Sequence, residues 1–210
     1  FLKLGSLNMN EYKENISSGI ILMLGNFSSS IFTGLDRWFV KILLLSFDFA
    51  MYSFAVSMEN IINVFVSPIT VSMYNYFCKK PSLNEIKSVK KLSLIWGFVV
   101  ISAAFPAKWI LVHYLNTYLA ANDVIFLLFG AQVFYIVVKS IYVNLYKAEK
   151  QQNIYLQQMV VMIVLGAVLN ALFFAVYNST ISIAFATFCT SIIWMLICEY
   201  KDKELRFSNK

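Results

Sequence analysis

The sequence predicts an all-α membrane protein in which six transmembrane helices form one bundle. Of the 210 residues, 60% are apolar, which suffices for six spans of about 20 residues each. Charged residues make up only 13%, against roughly 25% in an ordinary soluble domain. The mean hydropathy is +0.69. A soluble globular domain is therefore excluded, and so is a disordered chain, because disorder requires low hydrophobicity.

Six apolar segments set the domain organisation. Residues 1–15 form a polar, cytoplasmic lead-in, residues 16–198 the six-span bundle, and residues 199–210 a charged cytoplasmic tail. The predicted spans are about 16–40, 49–77, 92–111, 123–146, 154–176 and 181–198. A break at 45–48, polar loops at 79–91 and 147–153, and turns at 112–122 and 177–180 separate them. Pro81 and Ser82 begin a predicted short surface helix before the third span.

The distribution of lysine and arginine predicts the orientation of the bundle. The lead-in, the loop 79–91, the loop 147–153 and the tail hold 2, 5, 2 and 4 of these residues, which gives 13 on one side. Only Arg37, Lys41 and Lys108 fall on the other side. Because basic residues collect in cytoplasmic loops, both termini are expected in the cytoplasm. The net charge of +6 has the same origin, and no nucleic-acid partner is expected.

The composition gives no support to metal or catalytic chemistry. His113 is the single histidine, which excludes a histidine-based metal site and leaves a catalytic triad with one candidate base. Cys78, Cys189 and Cys198 include no CxxC pair and lie in or beside apolar runs, as packing residues do. The outer loops are too short for a membrane polysaccharide polymerase. We therefore expect no enzyme activity and no cofactor.

Polar residues recur every three or four positions along the first two spans, which places them on one face of each helix. In the first span this stripe ends at Asp36 and Arg37. In the second, Glu59 lies near the middle of the bilayer, beside Asn60 and Asn63. Ionisable groups inside a membrane are expensive, so they are candidates for a functional cavity. Two structural alternatives stay open: an interfacial ion pair of Asp36 with Arg37, and an interhelix hydrogen bond of Glu59.

The clearest polar stripe lies in the fourth span. Its members, in steps of three, four, three and four, are Gln132, Tyr135, Lys139, Tyr142 and Tyr146. A lysine that shares a helix face with tyrosines and a glutamine favours a polar cavity that receives an anion such as a phosphate. Snorkelling of Lys139 to the cytoplasmic edge is the alternative. The carboxylate of the second span lies at a similar depth, which makes an ion pair across the cavity an option.

The remaining polar residues inside the spans are expected to be structural. Asn170 is the one strong polar group in the fifth span, and we expect it to form an interhelix hydrogen bond. Small hydroxyl residues of the last span are expected to permit close packing of helices; they are Ser182, Thr187, Thr190 and Ser191.

Several short segments resemble a known transporter family. Residues 34–41 read GLDRWFVK, residues 52–55 read YSFA, and Pro68 follows in the same span. These segments resemble the start of the second half of polysaccharide or oligosaccharide flippases, the Wzx-like members of the multidrug/oligosaccharidyl-lipid/polysaccharide exporter superfamily. There an Asp-Arg pair ends one span, and a Tyr-Ser-x-Ala-like segment opens the next. The polar stretch 146–153 and the inner Asn170 also fit.

The resemblance implies a transporter of twelve to fourteen helices in two pseudo-symmetric bundles. Such proteins move lipid-linked sugars from the inner to the outer leaflet of the cell inner (cytoplasmic) membrane by alternating access. The chain is then expected to be the C-terminal bundle, and its expected partners are the missing N-terminal bundle, membrane lipid and a polysaccharide polymerase. Asp36 and Arg37 match the family's Asp-Arg pair. The other cavity candidates come from the stripes alone: Glu59, Asn60, Asn63, Gln132, Tyr135 and Lys139.

The leading functional hypothesis is a flippase for an undecaprenyl-pyrophosphate-linked oligosaccharide used in capsule or lipopolysaccharide biosynthesis. Arg37 and Lys139 would attract the pyrophosphate, and Glu59 would couple transport to an ion by changing its protonation. One alternative is a drug/cation antiporter of the same superfamily, which would depend on membrane acids more than on basic residues. The other is a non-transporting membrane partner of a glycan assembly complex, which has no use for polar stripes.

Overall fold

The computed structural model describes residues 9–208, and side chains within that range except at 10, 11 and 204–208. Every regular element in this range is helical. In chain order these are α1 (Met9–Leu43), α2 (Ser46–Phe77), α3 (Leu83–Ser102), α4 (Ala104–Tyr114), a 3-10 helix (Asn116–Ala121), α5 (Asn122–Val137), a π-helical turn (Val138–Tyr142), α6 (Val143–Ala148), α7 (Gln152–Val176) and α8 (Thr180–Ser208).

Six helical stretches in the described part of the chain are long and apolar enough to cross a membrane. They are Tyr12–Leu43, Ser46–Phe77, Leu83–Tyr114, Asn116–Ala148, Gln152–Val176 and Thr180–Lys203. The predicted fold class, an all-α bundle of six spans, is confirmed. The chain is a multi-pass helical membrane protein.

The third span begins earlier than predicted. Ser82 caps α3 with a reciprocal pair of bonds: its hydroxyl accepts from the Glu85 N–H at 3.4 Å, and the Glu85 carboxylate accepts from the Ser82 N–H at 2.6 Å. This capping box starts a helix that continues from Leu83 into the membrane. The prediction of a separate surface helix is therefore wrong. The interruption lies at the other end, at Ala103 between α3 and α4.

Both ends of the bundle are extended by helix. Residues 9–15 of the predicted lead-in belong to α1, and α8 continues through the predicted tail as far as Ser208. Residues 1–8 of the lead-in and 209–210 of the tail lie outside the described residues. The loops between the described helices are short, because adjacent antiparallel helices need few residues to connect them. The predicted loop 79–91 is shorter than expected, since α3 begins at Leu83.

The fourth span is the centre of the bundle. In its most apolar segment of 18 residues, 72% of the residues are buried, whereas the corresponding share in the first span is 11%. It packs against α2, α3 and α8, whereas α1 packs mainly against α7. The two larger buried apolar clusters lie around Tyr146, Met159 and Trp194 and around Leu111 and Leu128. The first span therefore leaves most of its surface outside the bundle.

Helices α3 and α5 approach closely at Gly97, and we expect Gly97→Ala to destabilise the protein. A Cβ there would lie 2.7 Å from Val133 Cγ1 and 2.9 Å from Val133 Cα, so a backbone would have to move. Overpacking of this kind costs about 1–3 kcal/mol. Thermal unfolding of purified variants in detergent measures the effect.

The matched control for this packing prediction is Gly19→Ala. A Cβ at Gly19 meets nothing within 4 Å, and alanine is the better helix former by about 1 kcal/mol. Its unfolding midpoint should therefore stay equal to that of the parent or rise. Equal midpoints for the Gly97 and Gly19 variants would contradict the close approach of α3 to α5.

Candidate functional site

A cavity of about 160 Å³ lies inside the bundle. It is bounded by α1, α2, the central span, α7 and α8. Residues three or four positions apart share a helix face. The polar faces of the first, second and fourth spans all point into this cavity. Seven of the eight predicted site residues line this cavity: Asp36, Arg37, Glu59, Asn60, Asn63, Tyr135 and Lys139.

Gln132, the eighth predicted residue, does not line the cavity but contacts a residue that does. It is buried in α5, and its Nε2 donates a hydrogen bond to Glu59 Oε1 in α2. Glu59 therefore has both of the features that the sequence left as alternatives. It forms an interhelix hydrogen bond, and it lines the cavity.

The Asp36 carboxylate is bonded to its neighbours rather than to the Arg37 side chain. Its Oδ2 accepts a hydrogen bond from the Tyr52 hydroxyl of α2 at 2.7 Å, and its Oδ1 accepts from the backbone N–H of Arg37 at 2.8 Å. Asp36 is only 8% exposed. The interfacial ion pair of Asp36 with Arg37 is therefore wrong, and Asp36 instead ties α1 to α2.

The two basic side chains of the cavity form no salt bridge with the described residues. The Arg37 side chain is exposed at the cavity's edge. Lys139 Nζ lies 5.3 Å from the centre of the Tyr135 ring, and Lys139 is half-buried in the cavity wall. A salt bridge between described side chains lies elsewhere, between Lys90 and Glu199. The cavity thus combines two hydrogen-bonded acids with two bases that form no salt bridge with the described residues.

The π-helical turn Val138–Tyr142 ends the lining stripe of the fourth span at Lys139. A π-turn contains an extra residue, so side chains after it are rotated about the helix axis relative to a regular α-helix. Tyr142 and Tyr146, which the α-helical spacing places on the stripe, do not line the cavity. Tyr146 is buried elsewhere, and its hydroxyl accepts a hydrogen bond from Gln158 Nε2 at 3.1 Å.

Three lining residues were expected to be structural: Asn170, Thr187 and Thr190. Asn170 is 3% exposed, and its Oδ1 accepts no hydrogen bond from the described residues. The predicted interhelix hydrogen bond of Asn170 is therefore wrong for this oxygen. Each threonine hydroxyl donates to a backbone carbonyl of α8. The missed signal is Gly166, four residues before Asn170, which puts a small residue and an amide on one face of α7.

The cavity opens on an exposed polar surface of the first two spans. Arg37 and Asn60 both line the cavity and are exposed. Exposed polar residues continue from them along both helices at helical spacing. An exposed guanidinium and exposed amides at membrane depth do not face lipid without a large cost, so this surface meets protein or water at Arg37 and at the asparagines. We name it the polar α1–α2 face, and it comprises Asn26, Ser30, Thr33, Arg37, Ser57, Asn60 and Ser67.

Comparison of the chain with protein-family models, curated proteins and solved structures found no match. The resemblance of residues 34–41 and 52–55 to a transporter family stays a prediction. The inference about function therefore depends on the cavity itself and on the polar α1–α2 face.

Proposed function

We propose that the chain flips a lipid-linked oligosaccharide, an undecaprenyl-pyrophosphate glycan, across the cytoplasmic membrane by alternating access. The observation that supports this cargo is which charged groups of the cavity already have partners in the protein. Both carboxylates already accept hydrogen bonds, whereas Arg37 and Lys139 form no salt bridge with the described residues. Guanidinium and ammonium groups of this kind bind phosphate oxygens. A drug cation would instead need acids that have no partner.

A buried acceptor in the wall of the cavity suits a sugar. Asn170 lines the cavity, and its Oδ1 is buried and accepts no hydrogen bond from the described residues. A buried polar atom without a partner costs about 1–3 kcal/mol, and a donor from a ligand removes that cost. Sugars present many hydroxyl donors. The cavity therefore offers cations for a pyrophosphate and, at Asn170, an acceptor for a hydroxyl group.

The size of the cavity indicates that this chain alone does not enclose the cargo. A volume of about 160 Å³ equals roughly five water molecules at about 30 Å³ each. One sugar ring or the pyrophosphate fills it, and the rest of an oligosaccharide must lie outside. We propose that the polar α1–α2 face forms one wall of a larger cavity, and that a second six-helix bundle supplies the other wall.

The test of the proposed function is deletion of the gene in the source organism. Lipid-linked oligosaccharide is then quantified separately in the inner and outer leaflets. We expect it to accumulate in the inner leaflet while surface polysaccharide is lost, because synthesis continues without flipping. The composition of the accumulated headgroup then identifies the substrate.

Two other outcomes would overturn the proposal. Normal lipid-linked intermediates together with drug sensitivity of the deletion strain would favour the drug/cation antiporter. Lost surface polysaccharide with a normal leaflet distribution would favour a non-transporting partner of a glycan assembly complex.

A further inference from the structure

A second polar cluster lies between α1, α6 and α7, outside the cavity already described. Lys147 Nζ donates to Asn26 Oδ1 at 3.2 Å, and the Tyr155 hydroxyl donates to the same oxygen at 3.3 Å. Lys147 Nζ also lies 4.9 Å from the centre of the Tyr155 ring. Two donors, an ammonium and a phenol, thus converge on one oxygen atom.

This cluster is held in place by close packing. Tyr155 is 3% exposed, and its ring lies directly against α1, where a Cβ at Gly25 would come within 2.6 Å of it. A glycine at this position is what lets the ring approach the helix. Asn26, by contrast, is exposed and belongs to the polar α1–α2 face. The two donors are therefore held by packing, and the amide that they contact is exposed.

The charge at the cluster favours an anion. Lys147 forms no salt bridge with the described side chains, and the group it contacts is a neutral amide. The Asn26 amide nitrogen donates to none of the described residues. If the amide turns, the two donors are left for a phosphate oxygen and the amide nitrogen becomes a third donor.

The cluster and the cavity are connected by one exposed polar face of α1. Asn26, Ser30, Thr33 and Arg37 are exposed on one face of α1 at steps of four, three and four. At 1.5 Å per residue, Asn26 lies about 16 Å from Arg37 along the helix axis. Lys147 belongs to the end of the bundle where the loop lysines collect, which is the predicted cytoplasmic end.

We propose that Asn26, Lys147 and Tyr155 form a phosphate-binding site that receives the phosphate group of the lipid-linked substrate before it enters the cavity. The proposal rests on the proposed function for its ligand, and the chemistry it names is a phosphate or pyrophosphate group. That group comes either from a polyprenyl lipid or from a free anion.

The experiment measures binding of radiolabelled polyprenyl monophosphate to the purified chain in phosphatidylcholine nanodiscs. Lys147→Gln should weaken binding about tenfold or more, because a hydrogen bond to a charged group is worth about 1.5–3 kcal/mol. Asn26→Asp should weaken it at least as much by repelling the phosphate. This second variant should not lower the unfolding midpoint, because the introduced carboxylate would pair with Lys147. Neutral polyprenol should bind all variants equally.

The matched control is Lys87→Gln, which removes an exposed lysine of α3 from the same end of the bundle and should leave binding unchanged. Competition by inorganic pyrophosphate identifies the source: no competition at equal concentration supports a lipid phosphate, and full competition supports a free anion at the same site. Binding that is unaffected by both Lys147→Gln and Asn26→Asp would overturn the proposal. If gene deletion leaves the leaflet distribution normal but these variants still lose binding, the proposed function fails and the phosphate site stands.

Discussion

A strain whose only copy of the protein carries Arg37→Ala is expected to lose its surface polysaccharide. The guanidinium lines the cavity, is exposed at its edge and forms no salt bridge with the described residues. Arginine binds a phosphate through two parallel hydrogen bonds. Losing about 3 kcal/mol of such contacts lowers affinity roughly a hundredfold. Surface polysaccharide per cell, at equal amounts of protein in the membrane, is the measurement.

Two variants make this result specific to the cavity. Arg37→Lys keeps the charge but loses the two-pronged geometry, so it should give an intermediate amount of polysaccharide. Lys108→Ala removes an exposed basic residue predicted to lie at the same membrane surface, and it should have no effect. Normal polysaccharide in a stably expressed Arg37→Ala strain would remove Arg37 from the proposed mechanism.

Hydropathy and helical spacing were sufficient for the spans and for most of the cavity. Apolar segments of membrane-spanning length have few alternatives to a helix, because the backbone must satisfy its own hydrogen bonds in lipid. When polar residues share one face of such a helix, that face is expected to point toward the interior of the bundle rather than toward lipid. This is why the stripes that contain Arg37, Glu59 and Lys139 meet in one cavity, although the sequence does not show which side chains touch.

The burial of Asp36 could have been predicted from the hairpin between the first two spans. In two antiparallel helices, residues at equal distances from the connecting turn lie at equal depth. Asp36 and Tyr52 are equally far from Leu44, at the turn, and they form the 2.7 Å hydrogen bond. The alternative of an interfacial ion pair considered the first span alone and placed Asp36 at the membrane surface. The hydrogen bond to Tyr52 on the second span instead holds Asp36 in a buried position.

The residues that sequence reasoning missed have a different cause. Asn170 is an isolated polar residue, so no stripe defines which side of α7 faces the cavity. The π-turn at Val138–Tyr142 is equally hidden, because it depends on tertiary packing rather than on any residue that breaks a helix. A regular α-helix predicts that Tyr146 shares a face with Lys139, and the π-turn separates them.

The chemistry of the cargo is best tested by comparing Lys139→Met with Glu59→Gln. Methionine keeps the length of the side chain but removes the charge from the cavity wall. Equilibrium binding of the lipid-linked oligosaccharide to the reconstituted protein should fall roughly a hundredfold. Glutamine at position 59 still accepts the hydrogen bond from Gln132 and removes a negative charge, so binding should be unchanged or tighter.

The second measurement on these two variants is the rate of flipping in proteoliposomes. The coupling role proposed for Glu59 requires a side chain that changes its protonation. Glutamine cannot do so. The Glu59→Gln variant should therefore bind cargo normally, yet gain nothing from an imposed ion gradient, whereas the Lys139→Met variant should fail at binding. A cation cargo reverses the order in the binding assay, since removing the acid would then weaken binding and removing the lysine would strengthen it. That reversal would replace the flippase with the antiporter, and the same two variants decide between them.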